Sequence, residues 1–142
     1  MGDLATLTAI NTNLRLVLSS TIGWNLEDMS DDPDLETTPL VVIDYGNIFF
    51  AEDSGEQPKY IELPVILSVI KSELTKVARD LAFFSQVVSI RNNVTVDALN
   101  TGDLSVSKLI TRVLSGEPGS DQEKNILTTT YPITMRFREE GA

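Results

Sequence analysis

The 142-residue chain carries 21 acidic against 11 basic side chains, a formal charge of -10, and has neither cysteine nor histidine. Those totals exclude disulfides, thiolate and imidazole metal centres, and Ser-His-Asp or Cys-His nucleophiles. So acidic a surface also repels phosphate backbones, which argues against nucleic-acid binding by charge neutralisation.

A chain of this length is expected to form one domain spanning 1–142, burying roughly 68 to 70% of the surface its unfolded form exposes. No apolar run approaches the ~18 residues needed to cross a bilayer, and no charged segment followed by an apolar stretch opens the sequence. MGDLAT fits the loose myristoylation pattern at Gly2 and Thr6, but no basic patch follows as a second anchor. No membrane partner is expected.

From Asp3 to Ile22, apolar residues recur at Leu4, Leu7, Ile10, Leu14, Val17 and Leu18, the spacing of a helix with one apolar stripe. Asp3 is its candidate N-cap and Gly23 its candidate stop. Trp24 is expected to plug the end of the core. Glu27, Asp28, Asp31, Asp32, Asp34 and Glu36 then crowd a stretch with an Asp-Pro turn signal and no apolar period, which predicts a mobile loop near 25–38.

PLVVIDYGNIFFAED predicts a strand over Leu40–Tyr45, a Gly46-Asn47 kink and a continuation to Ala51. Its unbroken apolar character requires burial on both faces or a partner over the outer one. EDSGEQP, with Glu52, Asp53 and Glu56, is turn chemistry at 52–58 and makes an acidic hairpin tip. In YIELPVILSVIK the residues Ile61, Leu63, Val65, Leu67 and Val69 form an uninterrupted apolar row at period two, the mark of a strand with one buried face.

Helical spacing returns between Ser72 and Asn100, where Val77, Leu81, Phe84, Val87, Val88 and Ile90 are expected to form the core-facing stripe. Lys76, Arg79 and Asp80 decorate the other side, with a break near Asn92 and a resumption to Leu99. LITRVLS, from Leu109 to Ser115, predicts a short strand, and GEPGSDQEKN a mobile polar loop at 116–125. Ile126–Glu139 reads as the last strand, with Thr129, Tyr131, Ile133, Met135 and Phe137 on its apolar face. Pro64 and Pro132 cannot donate to a ladder, so each must sit at a bulge or face an unpaired edge. The expected fold is α+β, an antiparallel sheet of about four strands with two helices on one face, in the order α-β-β-α-β-β.

Little catalytic chemistry survives this inventory, and no enzymatic role, cofactor or metal is expected. Gly116-Glu-Pro-Gly119 is acidic and leads to no helix, so it cannot cradle a phosphate. Carboxylates crowded in an exposed loop lack the rigid cleft and raised pKa that glycoside hydrolysis needs. A calcium loop starting at Asp28 would place Pro33 where the turn glycine belongs and Pro39 where the bidentate glutamate belongs.

Taken together, the helix from Asp3, the hairpin of LVVIDYGNIFF and YIELPVILSVIK, the helix through RDLAFFSQVVSI and the last pair ending TTTYPITMRFREE resemble the tail terminator, or tail-completion, proteins of long-tailed bacteriophages. The resemblance covers nearly the whole chain and rests on element order, length and the texture of the final strand. It implies a virion protein at the tail and neck, assembled in the host cytoplasm as a homo-hexameric ring. Such a ring caps the tail tube protein, ends polymerisation and offers a docking surface to the head-connector protein, while DNA passes through without specific binding. On that expectation Asp31, Asp32, Asp34, Glu36, Glu52, Asp53 and Glu56 line the channel, its mouth or an interface. The alternatives are a connector stopper or tube protein, or a small ligand-binding or regulatory α+β domain.

Overall fold

The computed structural model describes residues 3–26, 39–51, 60–73, 75–102, 104 and 109–138. Helix α1 runs Asp3–Leu16 and continues as a π-helical segment, Val17–Ile22. Gly23 ends it in the left-handed region at φ 91, its amide donating to Leu18 O. This is the expected stop, at a conformation glycine adopts without steric cost.

Strand β1, Asn25–Leu26, runs parallel to β2, Leu40–Tyr45. The first hairpin continues through β3, Phe49–Ala51, into the long β4, Tyr60–Ser72. Helix α2 spans Lys76–Asn93 and α3 spans Val96–Leu99. They are separated where the sequence predicts a break, and each is capped by a threonine, Thr75 accepting from Ala78 N and Thr95 from Ala98 N. Strands β5, Ile110–Ser115, β6, Gly119–Glu123, and β7, Ile126–Arg138, complete the described chain.

The sheet order is β1-β2-β4-β7-β5, with β3 also on β4 and β6 also on β7. Among the described residues there are seven strands and three α-helices where about four and two were expected. The expected strand over 40–51 is divided at its kink into β2 and β3, a two-residue parallel strand is added, and a further strand, β6, forms beyond β5. The polar segment expected as a loop at 116–125 is largely β6, paired antiparallel with Ile126–Thr130.

Helices and sheet meet on one face. Ile10, Leu14, Val17, Leu18 and Ile90 pack on Ile61, Leu63, Val65, Leu67 and Val69 of β4 and on Tyr131, Ile133, Met135 and Phe137 of β7. Trp24 belongs to the same cluster, as expected. Asn13 ties the first helix to the third, its Nδ2 donating to Leu99 O at 2.8 Å. Asn100 clamps the start of β5 by donating to Ile110 O and accepting from Ile110 N.

The prolines explain the split strands. Tyr45 pairs with Val65 and Phe49 with Glu62, so Gly46, Asn47 and Ile48 face only Leu63 and Pro64. Likewise Ser115 pairs with Ile133 and Gly119 with Thr130, so Gly116, Glu117 and Pro118 face only Tyr131 and Pro132. Each case is a bulge with one extra residue on the outer strand. Each glycine amide donates to the proline carbonyl, Gly46 to Pro64 and Gly116 to Pro132, both at 2.8 Å. The missing proline N–H therefore points into a gap in the ladder, where nothing is lost.

These two hairpins are copies of one plan. Each has a helix before it, a six-residue strand, a glycine bulge, a short continuation and a 13-residue return strand. Val65 pairs with Ile133, and around that pair Pro64 faces Thr134 while Ile66 faces Pro132. A pseudo-two-fold axis therefore passes through the Val65–Ile133 pair and relates β2-β3-β4 to β5-β6-β7.

Candidate functional site

The surfaces that stand out are apolar ones left outside the core. Val77, Leu81, Phe84 and Val88 of α2 are 68, 64, 67 and 53% exposed. At about 100° per residue they fall on one narrow strip. Gln86, nine residues after Val77, lies half a turn away, and it is Gln86 and Ile90 that are buried. The stripe expected to face the core thus faces outward along most of its length, with Ile90 and the partly buried Val87 as the exceptions.

Polar contacts hold the helix in this orientation. Arg79 donates from Nε to Gln122 Oε1 and from a terminal nitrogen to Glu73 O, both at 3.0 Å. Gln122 in turn donates to Asp80 Oδ1 at 2.8 Å, and Thr129 donates to the buried Gln86 Oε1. Asp80 also accepts from Lys76 at 2.9 Å. The Lys76 bond and then the Gln122 bond hold its carboxyl below the usual range. The outcome is an apolar ridge anchored beside β6, with stacked Phe83 and Phe84 rings at its middle.

A second apolar region lies across the sheet. At the β2–β3 bulge, Ile48, Phe49 and Phe50 are 40, 62 and 61% exposed. Beside them a hollow of about 240 Å³ opens between α1 and the bulge, lined by Leu7, Asn11, Tyr45, Gly46, Ile48 and Leu63. Tyr45 closes one side, its hydroxyl donating to Asn11 Oδ1 at 2.6 Å. Burial pushes its pKa up to about 12, against the smaller opposing pull of Arg15.

The third surface is the sheet face away from the helices. Val42, Phe49, Pro64, Ile66, Ile70, Leu114 and Pro132 share it by register, and Ile66 and Leu114 remain exposed. Arg136 donates to Glu62 Oε1 from Nε and a terminal nitrogen, at 3.2 and 2.9 Å. It also lies 5.1 Å from the centre of the Tyr60 ring. This ordered polar corner sits beside an otherwise apolar and threonine-rich surface.

The acidic residues proposed from sequence, Asp31, Asp32, Asp34, Glu36, Glu52, Asp53 and Glu56, lie outside the described residues. Their positions in sequence still matter. Acids and bases balance within the described residues, and the excess negative charge belongs to 27–38, 52–59 and the last four positions. Among the described residues no three acidic side chains gather as a metal site would require, and no helix is long and apolar enough to cross a membrane.

The apolar ridge was misassigned from sequence because periodicity shows that a helix has an apolar face but not which way it turns. One signal was available. Gln86 sits opposite Val77, Leu81, Phe84 and Val88, flanked in space by Arg79 and Ile90, so the helix has two usable faces.

No family model matches the chain, and no curated protein matches it. Among solved structures, a chain of the virion of a native gene transfer agent particle is similar to it, with a TM-score of 0.45 and 12% identity, covering 92% of this chain and 92% of that one. Similarity at that level is one of outline, and no partner or activity passes from it to this chain.

Proposed function

We propose that this chain is a structural subunit of a phage-type virion, assembling as a ring at the end of the tail tube, stopping its growth and offering a docking surface to the head connector. The observation that carries this reading is the set of exposed apolar surfaces on α2, at the β2–β3 bulge and on the sheet face away from the helices. Exposed apolar patches of this extent mark interaction surfaces. These surfaces are made of described residues among which acids and bases balance, which limits the repulsion between copies of a chain carrying ten surplus charges. On this reading the acids of 27–38 and 52–59 line a passage through which DNA slides without sticking.

A ligand-binding domain is the weaker reading. The hollow at the β2–β3 bulge measures about 240 Å³ and those beside α2 and β7 about 280 and 230 Å³, below the ~300 to 1,000 Å³ of ordinary small-molecule sites. The hollow beside β7 is lined by Asp121, Glu123 and Lys124 with Ile126 and Thr128, and the role we propose is non-enzymatic.

The test is reconstitution. Tail tube protein polymerised with the purified chain should give tubes capped at one end and limited in length, and native mass spectrometry of the caps should give a closed ring. Tubes that grow unchanged, with the chain left in solution, overturn the reading.

A further inference from the structure

We infer that the open edge of β5 takes up an extended acidic segment of another protein, which joins the sheet as one more antiparallel strand with a carboxylate opposite Arg112. The inference goes beyond the tail reading and stands on β5 and its neighbours alone.

Among the described residues β5 is the outermost strand on its side of the sheet, and its ladder decides which backbone groups are free. Gly116 N donates to Pro132 O, so Gly116–Pro132 is a bonded pair. Counting back through the alternation of an antiparallel ladder, Leu114–Thr134 and Arg112–Arg136 are bonded pairs, while Val113–Met135 and Ser115–Ile133 are not. The N–H and C=O of Val113 and Ser115 therefore point away from β7, and no described backbone group bonds them. Arg112, Leu114 and Ser115 are exposed beside them.

At Ile110 the chain closes this same edge itself. The Asn100 side chain donates to Ile110 O at 2.7 Å and accepts from Ile110 N at 3.0 Å, the two bonds a neighbouring strand would make. The pseudo-two-fold axis carries that position onto the start of β2, where β1 is a true added strand. Unpaired edge groups are a template for strand addition, in which backbone bonds supply affinity and side chains choose the sequence.

The charge pattern chooses acid. Arg112 stands directly across from Arg136, a like-charge pair that costs stability. Arg136 is engaged by Glu62 through Nε and a terminal nitrogen. The Arg112 guanidinium is exposed and makes no ion pair or hydrogen bond with the described residues. A charge on an edge can serve to keep strands away, but it repels only its own sign, and a carboxylate on an added strand would offset the Arg112–Arg136 repulsion. Because Arg112 is bonded toward β7, it takes an unbonded position toward the newcomer, where facing side chains stand closest. A second copy is the poorer occupant. The open part of its β2, Val42–Tyr45, is stopped by β1 at one end and by the Gly46 bulge at the other, and carries one acid, Asp44. A free segment meets no such stops and brings acids at alternate positions.

Amide hydrogen exchange of the intact chain, read by NMR, is the test. The probe is a synthetic eight-residue peptide alternating glutamate and threonine, with lysine–threonine and glutamate–proline twins as controls. In the free chain the Val113 and Ser115 amides should exchange faster than those of Arg112 and Leu114. The glutamate–threonine peptide should slow both, less so as salt is raised, while the lysine twin, repelled, and the proline twin, lacking the donors of a strand, should not. Arg112→Glu, checked for folding by circular dichroism, should weaken the glutamate peptide about tenfold, the scale of one attraction lost and one repulsion gained across a strand pair, and should favour the lysine twin.

Unchanged exchange at Val113 and Ser115 with the glutamate peptide would overturn the inference. Equal slowing by the lysine or proline twin would overturn it too, since the edge would then lack the selectivity for acid or the contact would not be a strand. Slow exchange in the chain alone, deepening with its concentration, would mean that a second copy already occupies the edge. None of these results bears on tube capping, so the two readings fail separately.

Discussion

Pro64 and Pro132 flank the Val65–Ile133 pair on adjacent central strands, and each accepts the amide of a bulge glycine through its carbonyl, Gly46 and Gly116 respectively. Proline in a central strand normally costs a ladder bond. Here the outer strand leaves the ladder where the donor is missing and rejoins it beyond. The arrangement occurs twice about one axis, so it is a design element of the hairpin.

The two bulges differ in how tightly they are packed, which predicts an asymmetry. A Cβ added at Gly116 would stand 2.8 Å from Pro132 Cγ, whereas one at Gly46 would stand 3.3 Å from Pro64 Cβ. A proline ring cannot swing aside, so Gly116→Ala should cost about 1 to 3 kcal/mol as overpacking. At Gly46 a shift of a few tenths of an ångström suffices, and the lower entropy of the unfolded alanine chain returns about 0.4 to 1 kcal/mol. Gly46→Ala should therefore be close to neutral. Urea unfolding of the two variants checks this; equal losses would mean that the bulges are not held by these contacts.

Gln86 gives a second prediction. It is buried at 3% exposure, accepts from Thr129, and its Nε2 has no hydrogen-bond partner among the described residues. Thr129→Val alone removes the one partner of a buried amide and should cost about 1 to 3 kcal/mol, whereas replacing both ends by apolar groups of similar shape can be neutral or stabilising. Gln86→Met with Thr129→Val should thus unfold at or above the parent midpoint. A double variant weaker than Thr129→Val alone would show that this amide does more than fill the space.

Much of the fold is legible in the sequence because it is carried by side-chain period. The odd rows from Ile61 to Val69 and from Thr129 to Phe137 are buried as their alternation requires, and the Gly46-Asn47 kink and the Gly23 stop fall where glycine chemistry places them. Strand β6 was missed because GSDQE offers no apolar row; it is held by backbone pairing to Ile126–Thr130 and by Gln122 reaching α2. The internal repeat is equally hidden, since LVVIDYG and ITRVLSG share little beyond their final glycine. Of the candidate site, the sequence offered acids that lie outside the described residues, and the apolar surfaces emerged only once the orientation of α2 was known.

Tyr45 predicts a pH dependence. Its phenol is pushed up to about 12 chiefly by burial, while in the unfolded chain it titrates near ~10. The folded state holds the proton more tightly, so this contribution is whole below pH ~10 and is lost as pH rises toward 12. Tyrosinate absorbance should include a late step from Tyr45, and Tyr45→Phe should remove that step. A Tyr45→Phe titration superimposable on the parent above pH 10 would contradict the assignment.

The two faces of α2 make the last prediction. Phe84 is 67% exposed and Ile90 fully buried, though both belong to one helix and are six residues apart. Phe84→Gln changes a solvent-facing side chain and should move stability by no more than about 0.5 kcal/mol, whereas Ile90→Ala opens a core cavity and should cost about 2 to 5 kcal/mol. Assembly should respond in the opposite sense. Phe84→Gln should fold like the parent yet fail to cap tubes, because the apolar ridge is interrupted at its middle. Ile90→Ala, kept folded at low temperature, should still cap them. Equal stability losses at the two sites would mean that Phe84 already has a partner within its own chain, and the ridge would then no longer be a surface waiting for a neighbour.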